Sequence, residues 1–234
     1  MAEGRPAAGW KSKFADLGVR LVSSLAVGAL ALACLWLGGG WAVLLAGVAV
    51  AAMLRELWQI MRPSQTDSGW VFFALCAAYV TLAGFAFVWL RNEAPHGLLS
   101  VLWAAATVVA ADVGGYFAGR LIGGARLWPS ISPRKTWAGL GGAVALASFA
   151  GGLFSWSTTG TYFYEVCVVS MIAALVAQGG DLAESALKRH FSVKDAGTLI
   201  PGHGGVLDRL DGHMAAILVA AVVTAWRDKA VFIW

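Results

Sequence analysis

Long apolar runs alternate with short polar segments along the whole chain. A helix needs about 20 apolar residues to cross the hydrocarbon core of a bilayer. Windows of that kind occur at Val19–Leu37, Trp41–Ile60, Trp70–Leu90, Gly97–Gly119, Trp137–Trp156, Tyr162–Gly180 and Val206–Trp226. Tryptophans stand near the ends of most windows, as is typical of a membrane–water interface. The pattern predicts an all-α, polytopic integral membrane protein with about seven transmembrane helices.

The composition agrees with this class. Hydrophobic residues make up 59% of the 234-residue chain, charged residues make up 13%, and the mean hydropathy is +0.72. A soluble domain, by contrast, is about a quarter charged. The three cysteines lie in apolar runs and form neither a disulfide framework nor a zinc motif. The net charge of +4 indicates membrane topology and anionic lipid rather than nucleic acid.

The distribution of basic residues predicts the orientation. We expect the first apolar run to be a retained span rather than a cleaved signal peptide. With the N-terminus inside, 14 of the 17 lysines and arginines fall on the inner side and 3 on the outer side. This excess places the N-terminus and the two large polar loops, 120–136 and 181–211, in the cytoplasm. The glycine-rich stretch 139–152 predicts close helix packing.

The second large loop carries acids that we expect to converge. If the sixth span continues as a helix, four polar side chains share one face: Asp181, Glu184, Ser185 and Lys188. An ordinary solvated helix end with a Glu184–Lys188 pair is the alternative. Asp208 and Asp211 begin the seventh span, which runs antiparallel to the sixth, so they should lie at the depth of Asp181. Carboxylates gathered at one membrane depth repel each other unless cations neutralise them.

The surroundings of these acids indicate a metal and phosphate site. Mg²⁺ prefers oxygen ligands and commonly takes substrate phosphates into its shell. Four cations flank the acids and would hold phosphates: Lys188, Arg189, Lys194 and Arg209. The segment "PGHGG" (201–205) can present consecutive backbone N–H groups to an anion, or it can be a flexible turn. His203 is a candidate phosphate donor or general base, with a simple turn residue as the alternative.

The other large loop brings hydroxyl groups and cations to the same side of the membrane. Its segment "SISPRKTWAG" (130–139) contains Ser132, Arg134, Lys135 and Thr136. Such groups suit a triphosphate or a lipid phosphate. A basic juxtamembrane segment that touches anionic lipid is the alternative.

At these residues the chain resembles the phosphatidate cytidylyltransferases. The stretch "SALKRHFSVKDAGTLIPGHGGVLDRLD" (185–211) is similar to the signature of that family. A second region, "ADVGGYFAGRLIGG" followed by "SISPRKTWAG", is similar to another family segment. The resemblance covers about Ala111 to Gly212. Family members usually have one or two more spans, which extends the expected number of transmembrane helices to a range of seven to nine.

The resemblance implies a Mg²⁺-dependent transfer of CMP from CTP to phosphatidic acid, which gives CDP-diacylglycerol and pyrophosphate at the cytoplasmic side of a bacterial inner membrane. It also implies a homodimer and allows a second cation. The metal ligands would be Asp181 and Asp208, with Asp112 as a further carboxylate. The residues that carry the reaction would be Asp181, Lys188, Asp208 and Asp211. The residues that bind substrate would be Ser132, Arg134, Lys135, Thr136, Ser185, Arg189, Lys194, His203, Gly204, Gly205 and Arg209.

Two other functions are weighed against this one. A transporter or channel for an anionic solute or lipid would also place charges near the membrane, but it predicts internal repeats that the sequence does not contain. A CDP-alcohol phosphotransferase would need an arginine and later aspartates that "DGHMAA" (211–216) lacks.

We expect residues 1–100 to form an N-terminal cytoplasmic segment with the first three transmembrane helices. Residues 101–234 would form the catalytic transmembrane domain with its cytoplasmic active-site loops.

Overall fold

The computed structural model describes residues 25–61, 67–93, 95–193, 195–197, 199 and 204–234. In chain order its elements are α1 (Leu25–Leu37), α2 (Gly39–Met61), α3 (Asp67–Asn92), α4 (Gly97–Leu121), β1 (Arg126–Trp128), β2 (Ser132–Thr136), α5 (Trp137–Thr159), α6 (Phe163–His190) and α7 (Leu207–Arg227). The predicted all-helical polytopic fold is confirmed. Within the described ranges, the antiparallel hairpin β1–β2 is the one departure from it.

Six helices, α2 to α7, are long and apolar enough to cross a bilayer, with mean hydropathies from 1.2 to 2.2. They correspond to six of the seven predicted windows. The first window begins outside the described residues, and its described part is the apolar helix α1. Helix α6 continues past Gly180 to His190, so the condition for Asp181, Glu184, Ser185 and Lys188 to share one helix face is met.

Close backbone contact joins α4 to α5. A Cβ added to Gly142 would lie 2.2 Å from Ala118 Cβ and 2.6 Å from Gly114 O. On the next helix face, a Cβ at Gly152 would lie 2.4 Å from Cys167 Sγ of α6. The predicted close packing through 139–152 is therefore confirmed. Within lipid, such contact between small residues is a main source of helix association.

A hydrophobic cluster joins the N-terminal helices to α6 and α7. Its buried members include Met53, Leu57, Val80, Leu187, Leu207 and Met214. Because these side chains come from α2, α3, α6 and α7, the first helices help to fix where α7 begins.

The polar ends of six helices meet at one end of the bundle, which we call the site end. Glu56, near the end of α2, contacts Val206 at the start of α7. Phe72, near the start of α3, packs against His190 at the end of α6, with ring centroids 6.4 Å apart. The hairpin between α4 and α5 lies at the same end of the bundle.

Two arginines stabilise the opposite end. Arg91 donates from Nε to Leu35 O at 2.5 Å and from Nη2 to Trp36 O at 2.9 Å, so it binds the last carbonyls of α1. The Arg227 guanidinium lies 3.8 Å from the centre of the Trp234 ring. Both cations therefore have structural partners away from the site end.

Candidate functional site

The site end contains a polar cavity of about 230 Å³ between α4, α6 and α7, which we call the acidic cavity. Eight titratable side chains line it: Asp112, Asp181, Glu184, Lys188, Asp208, Arg209, Asp211 and His213. Five of these are acids, against one lysine and one arginine. Such a surplus of carboxylates favours a bound cation.

A second cavity of about 210 Å³, the hairpin cavity, lies between α4, the hairpin and the start of α5. Three residues of the predicted substrate loop line it: Arg134, Lys135 and Thr136. The two cavities share four lining residues: Ala111, Asp112, Gln178 and Asp181. Lys135 Nζ spans this boundary, 2.5 Å from Asp181 Oδ2 and 2.9 Å from Gln178 Oε1. A ligand that extended through both cavities would meet cations in one and acids in the other.

Three acids of α6 and α7 lie close enough to share one ion. Asp181, Glu184 and Asp211 each offer a carboxylate oxygen, and these oxygens lie within 4.8 Å of one another. The close approach of α7 depends on Gly180, where a Cβ would lie 3.1 Å from Asp211 O. We call these three residues the acid triad.

The acid triad has the chemistry of a site for a hard cation. Glu184 is only 8% exposed, and among the described residues its Oε1 has no hydrogen-bond partner. A buried polar atom without a partner is costly, so a missing ligand is a natural explanation for it. Mg²⁺ takes carboxylate oxygens of this kind. The residues present therefore fit a divalent cation.

Lys188 connects two of the acids that line the acidic cavity. Its Nζ lies 2.9 Å from Glu184 Oε2 and 2.7 Å from Asp208 Oδ1. The Glu184–Lys188 pair considered from the sequence does form, but both side chains are largely buried rather than solvated. Lys188 thus lowers the repulsion between α6 and α7.

Asp208 is held differently from the metal ligand that the resemblance implies. Its Oδ1 accepts a hydrogen bond from Lys188, and its Oδ2 accepts from the backbone N–H groups of Ala196 and Gly205 at 2.9 and 3.1 Å. Asp208 lines the acidic cavity but lies outside the acid triad. Its carboxylate joins the preceding loop to α7 and α6. Asp112 also lies outside the acid triad, at the boundary between the two cavities.

The backbone amides at the start of α7 already have acceptors within the chain. Gly205 donates to Asp208, and the N–H groups of Val206 and Leu207 donate to the two carboxylate oxygens of Glu56, each at 2.9 Å. These first donors of a helix are the ones that an external anion would use. Of the anion cradle expected at 201–205, the described N–H group of Gly205 thus has an acceptor within the chain, whereas residues 201–203 lie outside the described residues. Gly204 has φ +86°, a conformation that favours glycine.

The remaining predicted site residues have several different roles. Thr136 caps α5, since its Oγ1 accepts from Gly139 N at 3.0 Å. Ser185 Oγ donates to Asp181 Oδ1 at 3.4 Å. Arg209 lines the acidic cavity, whereas Ser132, in β2, lines neither cavity.

Arg189 also lines neither cavity. It is exposed at the end of α6 and donates from Nε to Ile131 O at 3.5 Å, which links α6 to the hairpin. Two further predicted substrate-binding residues, Lys194 and His203, lie outside the described residues.

An apolar groove of about 850 Å³ runs between α3, α6 and α7. Leu75 and Val222 line it and are 64% and 67% exposed on the outside of the bundle. Glu184 and Asp211 line both this groove and the acidic cavity. In a bilayer, the groove would therefore connect the lipid hydrocarbon with the acid triad.

Sequence reasoning did not select three residues that the structure places at or beside the site. Helical spacing placed Glu184 on the face of Asp181, but no site role was assigned to it; Gln178, three residues before Asp181, could have been found in the same way. Glu56 is an acid near the end of the apolar window Trp41–Ile60. It meets protein, because it is fully buried.

Comparison with known proteins shows which family the chain matches. The sequence model of the cytidylyltransferase family matches residues 61–226, which include the acid triad and both cavities. The phosphatidate cytidylyltransferase of Brucella suis is 40% identical over 157 residues, which is 67% of this chain and 58% of the relative. That of Bacillus subtilis is 37% identical over 145 residues, 61% of this chain and 54% of the relative.

A third relative, the phosphatidate cytidylyltransferase of Helicobacter pylori, is 40% identical over 141 residues, 58% of this chain and 53% of the relative. The chain thus matches between half and three fifths of the length of these curated relatives. The family match extends over more than half of the chain and includes the residues that carried the resemblance. The chain therefore belongs to the cytidylyltransferase family.

Proposed function

We propose that this protein transfers CMP from CTP to phosphatidic acid and forms CDP-diacylglycerol and pyrophosphate. The observation that carries this proposal is the position of Glu184 and Asp211, which line both the apolar groove and the acidic cavity. A substrate with two acyl chains and a phosphate would place its tails in the groove and its headgroup at the acids. The names of the relatives supply the substrate class.

The reaction requires one bond to form and one to break. A phosphate oxygen of phosphatidic acid would attack the α-phosphorus of CTP, while the bond from that phosphorus to the bridging oxygen of the β-phosphate breaks and pyrophosphate leaves. Catalysis of this kind depends on positioning and on stabilisation of negative charge. Arg134 and Lys135, which line the hairpin cavity, would bind the triphosphate of CTP.

The acid triad would hold Mg²⁺, which when bound neutralises negative charge on phosphate oxygens. A second cation would bind in addition to the Mg²⁺ held by the acid triad and would not replace it. Lys135 contacts Asp181 across the boundary between the cavities. When a triphosphate fills the hairpin cavity, the ammonium group of Lys135 would move from the carboxylate to phosphate. The lysine would then connect nucleotide binding with the acids.

The direct test is turnover by the purified full chain in mixed micelles of lipid and detergent with CTP, Mg²⁺ and phosphatidic acid. We expect release of pyrophosphate together with labelled CDP-diacylglycerol, and neither product when phosphatidic acid is left out. A folded, monodisperse preparation that releases no pyrophosphate would contradict the proposal. Solute flux into liposomes without nucleotide turnover would favour the transporter instead.

A further inference from the structure

Glu56 on α2 is a fully buried acid, 0% exposed, in a part of the chain that precedes the family match at residues 61–226. The neighbouring Met53 and Leu57 are buried hydrophobic side chains, 3% and 1% exposed. An ionised carboxylate in such surroundings is very unfavourable unless it is well hydrogen-bonded. The partners of Glu56 therefore indicate what this acid does.

Both oxygens of Glu56 accept hydrogen bonds from the start of α7. Oε1 accepts from Val206 N and Oε2 from Leu207 N, each at 2.9 Å. Val206, the N-cap residue, supplies no side-chain hydrogen bond of its own. A negative charge at a helix N-terminus is stabilised by the free N–H groups and by the helix dipole. Glu56 thus caps α7 from a helix 150 residues earlier in the chain.

Two glycines leave room for this carboxylate. A Cβ added to Gly197 would lie 2.6 Å from Glu56 Oε1, and one added to Gly205 would lie 2.8 Å from Oε2. Neither position accepts a larger side chain while Glu56 keeps its place. Some of the glycine content of the segment before α7 is therefore explained by contact with Glu56.

Asp208 contacts the same two chain segments as Glu56. Its Oδ2 accepts from Ala196 N and Gly205 N, which are next in sequence to Gly197 and Val206. One carboxylate comes from α2 and the other from α7, and together they fix the loop and the first turn of α7. Asp211, one turn further along α7, belongs to the acid triad.

We propose that Glu56 is a positioning residue that sets the place of the first turn of α7, and through it the place of Asp208 and Asp211. Glu56 lines neither the acidic cavity nor the hairpin cavity, so it acts through the helix rather than on a substrate. This inference depends on the proposed transfer reaction. It adds a role for α2, a helix that contributes no residue to either of those cavities.

The test compares Glu56→Gln with Glu165→Gln, which changes an exposed acid in the first turn of α6. Glutamine keeps the size of the side chain but offers one oxygen to two N–H donors. For the folded full chain, we expect kcat to fall at least tenfold in Glu56→Gln, while the KM values for CTP and phosphatidic acid stay within threefold. Glu165→Gln should match the wild type. If Glu56 only stabilised the fold, the unfolding temperature would drop while kcat per folded molecule stayed the same, and that result would overturn the proposal.

Gly197→Ala provides a second test if Glu56→Gln does not fold. Its methyl group would push against Glu56 Oε1, so we expect the same fall in kcat. Gly141→Ala is the matched control, because a Cβ there meets nothing within 4 Å. Normal kcat in Gly197→Ala would overturn the role of Glu56. An inactive wild type would overturn the proposed reaction and this role with it, whereas an active wild type with an unaltered Glu56→Gln would overturn only the role of Glu56.

Discussion

Lys188 lies between two acids of the acidic cavity, 2.9 Å from Glu184 and 2.7 Å from Asp208, and it determines how much negative charge the cavity presents. All three side chains are at most 16% exposed, so solvent screens their interaction only weakly. Breaking a buried pair by removing one partner leaves the other charge without compensation. We therefore expect the ammonium group of Lys188 to contribute both to folding and to substrate affinity.

We predict that Lys188→Ala lowers the free energy of unfolding by about 3 kcal/mol, because it removes the cation that compensates the charges of Glu184 and Asp208. It should also raise the CTP or lipid concentration needed for half-maximal turnover, because nearby negative charge then repels phosphate. Chemical unfolding in detergent and steady-state kinetics measure the two effects. Lys229→Ala, at an exposed position, is the control. Unchanged stability and kinetics in Lys188→Ala would show that its ion pairs contribute neither to folding nor to substrate affinity.

A second prediction separates a metal ligand from a loop anchor. Glu184→Gln should lower turnover at least tenfold at low Mg²⁺, with partial recovery at high Mg²⁺, because it removes one charge from the acid triad. Asp208→Asn should lower turnover without such recovery, since Asp208 accepts from two loop amides and Lys188. Mg²⁺ titrations of both variants measure this difference. Recovery of Asp208→Asn alone would reverse the two assignments.

At the scale of single residues, the sequence predicts which side chains lie together more successfully than it predicts the role of each side chain. Helical spacing placed Asp181 and Lys188 on one face, and the acidic cavity contains both. It could not show that Asp208 accepts backbone amides, because those amides belong to a glycine-rich loop without a repeating pattern. Nor could it pair Glu56 with α7, because 150 residues separate them and nothing local records the contact.

The contact between α4 and α5 is the element-scale feature on which the hairpin cavity depends. Asp112 and Tyr116 of α4 face Lys135 and Thr136 across this cavity. The two helices approach closely where Gly114, which lies between Asp112 and Tyr116 in the sequence, meets Gly142. The width of the cavity therefore depends on the absence of side chains at that crossing.

We predict that Gly142→Ala lowers the free energy of unfolding by about 2 kcal/mol, because its Cβ would lie 2.2 Å from Ala118 Cβ and overpack the crossing. It should also weaken CTP binding by widening the hairpin cavity. Unfolding in detergent and equilibrium CTP binding measure these effects. Gly141 precedes Gly142 in the same helix, and a Cβ added there meets nothing within 4 Å. Gly141→Ala should therefore lower neither the free energy of unfolding nor the affinity for CTP. Equal behaviour of the two variants would show that the crossing tolerates a methyl group.

Helices were easier to predict than the hairpin, for a physical reason. A run of about 20 apolar residues has few alternatives to a membrane-spanning helix, because lipid offers no partners to an unpaired backbone. The hairpin strands have three and five residues, and β2 contains Pro133, Arg134 and Lys135. Such short polar strands carry no clear alternating pattern. Their pairing is visible only once α4 and α5 bring their ends together.

On the scale of the whole molecule, cations are unequally distributed between the two ends of the bundle. At the end opposite the site, Arg91 binds the last carbonyls of α1 and Arg227 lies on Trp234. Among the described residues, three lysines and arginines lie at that opposite end, Lys229 included, whereas eight lie at the site end: Arg55, Arg120, Arg126, Arg134, Lys135, Lys188, Arg189 and Arg209. This asymmetry supports the proposed orientation, with the site end in the cytoplasm.

We predict that a cysteine in place of Arg126 is labelled by an impermeant maleimide in inverted vesicles and protected in right-side-out vesicles. A cysteine in place of Lys229 should show the opposite pattern, because that residue follows α7 at the other end. The background would be a variant whose native cysteines, Cys34, Cys76 and Cys167, are changed to alanine. Labelling of Arg126→Cys from outside would contradict the orientation.

The homodimer and the division at residue 100 stay predictions.

The apolar groove opens sideways, toward the space that lipid tails occupy, and this has a consequence for kinetics. A phosphatidic acid molecule that entered this way would never leave the two-dimensional phase in which it diffuses. The rate at which the protein meets this lipid would then depend on the mole fraction of the lipid in the membrane rather than on its bulk concentration. Inert phospholipid added at fixed total substrate should slow the reaction by dilution alone.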